Sequence, residues 1–256
     1  MKTFLHRLAG GFLARTGLHR CPVRVRSGIA VGARWTLHPF SSYWRGTHEP
    51  AVQSLLMELG GGDIQGWNCW DIGAHFGLYS IGLARRVGPT GQVAAFEPNP
   101  RSYTRLRLHA DMNPMPWLKT FQVAASDQSG AAEFLTYGDL GNTTTHLAYE
   151  GERLTPAAQA LAITSLRLDS LVDRGELRLP NFIKIDVEGH GHRALAGMAS
   201  TLVAARPIIV AAMHSPQEVE GTFSQLGRLG YNHTVVGPTP ESASKVGFDF
   251  LFTPAG

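Results

Sequence analysis

Apolar positions change their period along this chain. Phe4, Leu5, Leu8, Phe12 and Leu13 recur at helical spacing between Lys2, Arg7 and Arg15, the pattern of an amphipathic helix. Short runs at 23–26 and 33–37, around Gly28 and Gly32, read as a hairpin. Residues 51–59 read as a helix stopped by Gly60-Gly61-Gly62. From residue 67 a stricter alternation begins. Nearly continuous apolar runs at 67–71, 92–97, 182–187 and 208–213 are each followed by an amphipathic stretch, at 77–87, 100–112, 192–202 and 217–229. A further run at 118–124 leads into a polar excursion over 131–164, and runs at 231–236 and 247–253 close the chain with only a turn-rich link between them. Strands buried on both faces read as unbroken apolar runs, and alternating strands and helices imply right-handed parallel crossovers. The pattern therefore predicts an α/β, Rossmann-like fold. It has a seven-stranded, mainly parallel sheet with helices on both faces and one antiparallel edge strand from the final pair. The segment 137–159 is long for a loop, and two readings of it stay open: a substrate-contacting lid and a variable surface.

Candidate chemistry falls where the apolar runs end. Trp70-Asp71-Ile72-Gly73-Ala74-His75-Phe76-Gly77 carries an apolar run onto a carboxylate and through glycines into a helix. Val93-Ala94-Ala95-Phe96-Glu97-Pro98-Asn99 ends a second run on another acid, 26 positions after Asp71. That is the span of one strand, one helix and the next strand. In parallel α/β sheets, glycines at such a turn let the backbone approach a nucleoside, and the second acid accepts the ribose hydroxyls. The Asp-x-Gly-x-x-x-Gly spacing is not that of dinucleotide binders. Its leading acid suits a cationic ligand end such as an amino-acid ammonium, so the ligand read here is S-adenosylmethionine. Asp71, Gly73, Ala74, Gly77 and Glu97 are its candidate contacts, with Ser126 and Asp127 at the adenine.

Open α/β sheets bind ligands beyond the carboxyl ends of their strands. Asp186, Glu188 and His214 end later runs in the same way and are the candidate catalytic residues, His214 as a base because imidazole titrates near neutrality. Asp186 and Glu188 face opposite ways if the strand continues through them, and the same way only if the chain turns there. A divalent cation held by Asp186, Glu188 and His214 is the other reading of this trio. No further ligand has clear spacing, and no metal is expected. Lys184, within a strand, needs a partner, and Asp186 is available on its face; His190 and His192 read as exposed loop residues.

These motifs resemble the FkbM-type family of S-adenosylmethionine-dependent methyltransferases. The resemblance extends in order through Gly46-Thr47-His48-Glu49-Pro50, Val123-Ala124-Ala125-Ser126-Asp127-Gln128-Ser129-Gly130 and Ile183-Lys184-Ile185-Asp186-Val187-Glu188-Gly189-His190, and less closely through Pro207-Ile208-Ile209-Val210-Ala211-Ala212-Met213-His214. It implies a class I methyltransferase-like fold and O-methylation of a hydroxyl on a sugar, glycan or secondary metabolite. Two positions depart from the family pattern. His75 stands where the family often has Asn, and Ala212 where it often has Glu two positions before the histidine.

Charge divides the chain. Its net charge is +3, yet residues 1–48 hold eight Lys or Arg and no Asp or Glu, so the remainder is acidic overall. Residues 1–48 read as a basic extension or cap and 49–256 as the methyltransferase domain. For the extension, a cap packed on the domain and a contact with a membrane surface or acidic partner both stay open. Trp35, Tyr43 and Trp44 in it suit base stacking, but no RNA motif accompanies them; RNA is disfavoured, and no DNA contact is expected. Cys21 and Cys69 are the only cysteines and lack pairing or metal spacing, which fits a reducing, cytoplasmic compartment. No apolar run is long enough to span a bilayer. The first twenty residues are too short and glycine-broken for a signal peptide, an Arg-rich transit peptide being the other reading left open. Two rival functions remain: a non-catalytic nucleoside- or partner-binding module on the same fold, and an NAD-dependent oxidoreductase, against which the missing Gly-x-Gly-x-x-Gly argues.

Overall fold

The computed structural model describes residues 21–37, 41–137, 145–147, 158–238 and 244–255. The amphipathic stretch at 4–13 lies outside these, as do residues 138–144 and 148–157 of the long segment. A hairpin of β1 (Pro22–Arg24) and β2 (Arg34–Thr36) precedes helices α1 (Ser42–Arg45) and α2 (Pro50–Glu58). The alternating part follows as β3 (Asn68–Ile72), α3 (Leu78–Val87), β4 (Gln92–Phe96), α4 (Pro100–Met112) and β5 (Leu118–Phe121). Next come β6 (Ala124–Ala125), β7 (Gly130–Tyr137), β8 (Thr145–Leu147), β9 (Ala158–Leu166) and α5 (Leu168–Asp173). The chain continues through β10 (Phe182–Ile185), α6 (Gly191–Ala196), α7 (Ala199–Ala205) and β11 (Ile208–Ala212). Helix α8 (Pro216–Arg228) and strands β12 (Tyr231–Val236) and β13 (Asp249–Pro254) complete the described part.

Seven strands form the main sheet in the order β12-β13-β11-β10-β3-β4-β5. Strand β10 pairs in parallel with β3 and β11, and β3 with β4, in a register that sets Phe182 beside Cys69 and Cys69 beside Val93. Side chains alternate across the sheet. Cys69, Val93, Phe182 and Val210 enter a core shared with α3 and the hairpin, whereas Trp70, Ala94, Ile183 and Ile209 enter the opposite core with Leu195, Met198 and Leu226. The expected antiparallel strand is β13, but it lies one place inside the edge, between β11 and β12. The cause is in its pattern: Phe250 and Phe252 of β13 are buried, while Asn232, His233 and Thr234 of β12 are exposed.

Three local expectations are corrected. The run 118–124 is two strands, because β6 leaves the main sheet and pairs with β9. The polar excursion holds a second sheet, ordered β6-β9-β7-β8, with Gly130 opposite Ser165 and Tyr137 opposite Ala158. Its strand pattern is muted because Leu161, Ile163 and Ser165 turn inward between exposed Ala160, Ala162 and Thr164, and alanine carries little hydrophobic contrast. The single helix read at 192–202 is broken into α6 and α7 around Gly197, where a Cβ would stand 1.9 Å from the Ser126 carbonyl oxygen.

The hairpin is built into the core. Val25, Ile29, Ala30, Ala33 and Trp35 are buried against α3. Trp35 stacks on His109 of α4 with ring centroids 3.6 Å apart. His109 Nδ1 donates to the Phe76 carbonyl at 2.8 Å, so its Nε2 is the acceptor for the Thr36 hydroxyl, also at 2.8 Å. Burial pushes this imidazole down to about 4, keeping it neutral with one nitrogen in each role. The hairpin is thereby tied to the turn that carries the glycine motif.

Candidate active site

The loops beyond the carboxyl ends of β3, β4, β6, β10 and β11 meet the segment before α2 around a cavity of about 410 Å³. Of the residues singled out in the sequence, Gly73, Glu97, Asp186, Glu188 and His214 line it. Tyr43, His48, Glu49, His75, Ser102 and His190 join them. The volume is in the range of small-molecule sites. Backbone strain converges here as well: Glu49, His75 and Glu188 line the cavity, and together with Arg206 they are the non-glycine residues with positive φ among those described. Such conformations persist where the surroundings impose them, and they collect at functional sites.

Gly73 makes the first turn possible. Its φ is +86°, and a Cβ on it would lie 1.8 Å from the Asp186 carbonyl oxygen, so no side chain fits between the loops after β3 and β10. Gly73→Ala is expected to cost at least about 3 kcal/mol from combined strain and overpacking, measured as a lower denaturation midpoint. The turn directs the His75 N–H onto Glu97 Oε2 at 2.8 Å, while the Asn99 N–H reaches Oε1 at 2.8 Å. Glu97 is thus clamped by backbone donors and still faces the cavity. Burial outweighs those donors and pushes its carboxyl up to about 7. Among the described residues no Lys, Arg or His forms an ion pair with it, so hydroxyl donors suit it.

An acid-and-histidine cluster lines the same cavity. Strand β10 ends at Ile185, and Glu188 takes a φ of +51°, so the chain turns and brings both acids to one side. His214 Nε2 lies 3.4 Å from Asp186 Oδ1 and 3.8 Å from Glu188 Oε2, and its Nδ1 lies 3.5 Å from Glu218 Oε2. Burial opposes its charge, but the Glu218, Asp186 and Glu188 carboxylates prevail and push the imidazole up to about 9. The other Asp186 oxygen takes Lys184 Nζ at 3.0 Å, the partnership read from the sequence. Lys184 is buried; burial opposes its charge, yet Asp186, Glu49 and Asp71 hold its pKa above the ordinary lysine value. Among the described residues, no group of three or more His, Cys, Asp or Glu is arranged to hold a metal ion.

The segment before α2 supplies the third wall. Tyr79 donates to Glu49 Oε2 at 2.6 Å, and His48 Nε2 lies 3.2 Å from Oε1. Burial works against the Glu49 carboxylate, but His48, Lys184 and Tyr79 bring it down to about 2. Tyr43 and His75 meet through the hydroxyl and Nδ1 at 2.7 Å. Burial, and after it His48, pushes His75 down to about 4, so the ring is neutral, while burial raises the Tyr43 pKa and keeps its proton in place. The hydroxyl and Nδ1 are thus joined by one hydrogen bond between two neutral groups. A neutral imidazole stands where the family often has an Asn amide.

The remaining sequence-read residues lie behind the walls. Asp71 is 1% exposed and does not face the cavity; it shares a face with Lys184 and accepts the Ser80 hydroxyl beneath the sheet. Ala74 is buried, and Gly77 opens α3 with its Cα against Leu106. Ser126 and Asp127 lie just past Ala125. Ser126 Oγ donates to Asp127 Oδ1 at 3.0 Å and accepts from His190 Nε2 at 3.0 Å. His190 is thus no exposed loop residue, being 5% exposed on the cavity wall, and His192 is half-buried. Tyr43, Tyr79, His190 and Glu218 were not legible as site residues. Only Glu218 carried a local signal, the Ser215-x-x-Glu218 spacing of a helix-capping pair.

A cavity at the carboxyl ends of a mainly parallel sheet, lined by a backbone-clamped carboxylate and an acid-and-histidine cluster, belongs to a Rossmann-like methyltransferase fold of class I type. The Methyltransferase FkbM domain matches residues 71–233, and the chain belongs to that family. S-adenosylmethionine is its cofactor, and the Gly73 turn and clamped Glu97 fit that molecule. The chain is similar to the hexuronic acid methyltransferase AglP of Haloferax volcanii, 29% identical over 209 residues that make up 80% of each protein. It is also similar to the 31-O-demethyl-FK506 methyltransferase FkbM of Streptomyces tacrolimicus, 24% identical over 70% of this chain and 76% of that one. The crystal structure of methyltransferase FkbM from Methylobacillus flagellatus superposes with a TM-score of 0.50 at 18% identity. That match covers 73% of this chain and 43% of the larger protein, and it shows the shared fold. Among the described residues, no helix is long and apolar enough to cross a membrane.

Proposed function

We propose that the protein transfers the methyl group of S-adenosylmethionine to a hydroxyl of a sugar, glycan or secondary metabolite, with His214 as the base and Asp186 and Glu188 beside it. The observation that carries this reading is the position of His214 Nε2 between two carboxylates, on the wall of the cavity that Glu97 also lines. The relatives named for a hexuronic acid and for a 31-O-demethyl macrolide support an oxygen acceptor. Glu97 accepts the ribose hydroxyls, Gly73 and Ala74 let the backbone approach, and Ser126 with Asp127 sets His190 at the adenine end. Asp71 acts from beneath through Lys184, and Gly77 through the start of α3.

The cofactor supplies a methyl group on a sulfonium, open to in-line displacement. The protein's part is to hold the acceptor oxygen in line and to take its proton. That proton passes to His214 Nε2 as the methyl bonds to oxygen, and Asp186 and Glu188 stabilise the imidazolium. Lys184 ties down one Asp186 oxygen, which keeps the other aimed at His214. In this reading residues 49–256 are the methyltransferase domain, the hairpin at 21–37 and the segment at 41–48 cap it with Tyr43 and His48 on the cavity wall, and the basic charge of the stretch 1–48 suits an acidic partner or a membrane surface. Two unpaired cysteines fit a reducing, cytoplasmic compartment.

The test is to incubate the full chain with methyl-labelled S-adenosylmethionine and a panel of sugar and metabolite hydroxyl acceptors, read by mass spectrometry. A methyl ether and one S-adenosylhomocysteine per transfer are expected. Tight NAD binding by calorimetry, with no binding of S-adenosylhomocysteine, would overturn the reading.

A further inference from the structure

We propose that Glu218 is the positioning residue of His214: its buried carboxylate clasps the loops after β10 and β11 and holds the imidazole with Nδ1 toward α8 and Nε2 toward the acceptor. This rests on the reading of His214 as the base.

Glu218 occupies the third position of α8, and the Ser215 side chain caps that helix by accepting the Glu218 N–H at 3.1 Å. In a capping pair of this spacing the glutamate returns to the N–H of the capping residue itself. Here it does not. Oε2 accepts the N–H of His214, one residue earlier, at 2.7 Å, and Oε1 accepts the N–H of Gly191 from the neighbouring loop at 2.7 Å. Glu218 is 0% exposed, and a Cβ on Gly191 would come within 2.7 Å of Oε1, so the loop is shaped to the carboxylate. A charge buried this deeply is tolerated only when its lone pairs are met. Two backbone donors and the amino end of an α-helix meet that demand, and His214 Nδ1 stands 3.5 Å from Oε2, within ion-pair reach though not hydrogen-bonded to it.

The consequence is directional. In the proposed role the buried, backbone-fixed Glu218 carboxylate favours the ring proton on Nδ1, which frees Nε2 to take the acceptor's proton, and Asp186 Oδ1 and Glu188 Oε2 then hold the imidazolium on the cavity side. The charged groups that bear on the ring are Asp186 and Glu188 from the loop after β10, Glu218 from α8 and Asp249 from β13, with Lys184 behind Asp186. Of these, Glu218 is the one placed at Nδ1. Loss of its charge removes the orienting acceptor without touching acceptor or cofactor.

Glu218→Gln keeps the side-chain shape and tests this. On the acceptor found for the wild type, kcat at its alkaline plateau is expected to fall by about tenfold or more. KM and the affinity for S-adenosylhomocysteine should stay within about twofold, and the midpoint of the pH–kcat profile should move down by about one unit as a neighbouring anion is lost. Glu218→Asp should restore part of both. A lower denaturation temperature with an unmoved pH midpoint would overturn the proposal, because a merely structural clasp predicts that result. Should Glu218→Gln not fold, nitrogen NMR of wild-type His214, assigned by its absence in His214→Gln, decides instead. A neutral ring protonated at Nδ1 supports the proposal, and one protonated at Nε2 overturns it. Undiminished turnover in His214→Gln sinks the base reading, whereas loss there with an unaltered Glu218→Gln sinks only this inference.

Discussion

Glutamine in place of His214 is expected to lower turnover by roughly 10²–10⁴-fold, the usual contribution of a positioned base, while leaving the affinity for S-adenosylhomocysteine nearly unchanged. The separation follows from the partners of each residue, since His214 follows β11 among Asp186, Glu188 and Glu218 while Glu97 follows β4 and keeps its own backbone clamps. The pH dependence has a definite sign. The surrounding carboxylates push His214 up to about 9, so at neutrality most of the protein holds it as imidazolium, which cannot accept a proton. Turnover should therefore climb about tenfold per pH unit from neutrality and level off near 9, and His214→Gln should flatten that rise. A chelator should not change the rate. Full activity in His214→Gln would leave positioning alone as the source of acceleration. A wild-type profile already level at pH 7 would remove His214 as the titrating base.

Glu97→Ala is expected to weaken S-adenosylhomocysteine binding by roughly 100-fold or more, read by calorimetry. Two effects add. The ribose hydroxyls lose a charged acceptor, a type of bond that contributes about 1.5–3 kcal/mol, and the His75 and Asn99 N–H groups lose the partner that shapes the pocket. The wild type should also show a pH-dependent affinity. Burial pushes Glu97 up to about 7 in the free protein, and hydroxyl donors bind the ionised form. Affinity should then be full above pH 7 and fall about tenfold per unit below it, with proton release on binding near neutrality. Retained affinity in Glu97→Ala would place the ribose elsewhere in the cavity.

The alternation of buried strands and amphipathic helices was legible because burial on both faces forces nearly continuous apolar runs such as Val93 to Phe96 and Ile208 to Ala212. The same pattern failed where its contrast was low. Strand β9 alternates alanines with Leu161, Ile163 and Ser165, so the second sheet passed for a polar excursion. The hairpin was read correctly in type, but short runs around glycines do not reveal that Trp35 stacks on His109.

For the site, the sequence by itself determined which chemistry stands at the strand ends. Asp71, Glu97, Asp186, Glu188 and His214 follow apolar runs that terminate there, and the family motifs go with them. Only the tertiary structure decided which of them meet. Asp71 aligns with Lys184 across parallel strands and turns beneath the sheet, because register fixes the face and alternation does the rest. Glu188 joins Asp186 at His214 because a positive φ reverses the alternation, a conformation that a local apolar pattern does not encode. Glu218 carried the sequence of an ordinary helix cap and was redirected by a glycine loop 27 residues away. Periodicity reports how deeply each position is buried within its own element. Contacts between loops depend on turns and registers that only the folded chain brings together.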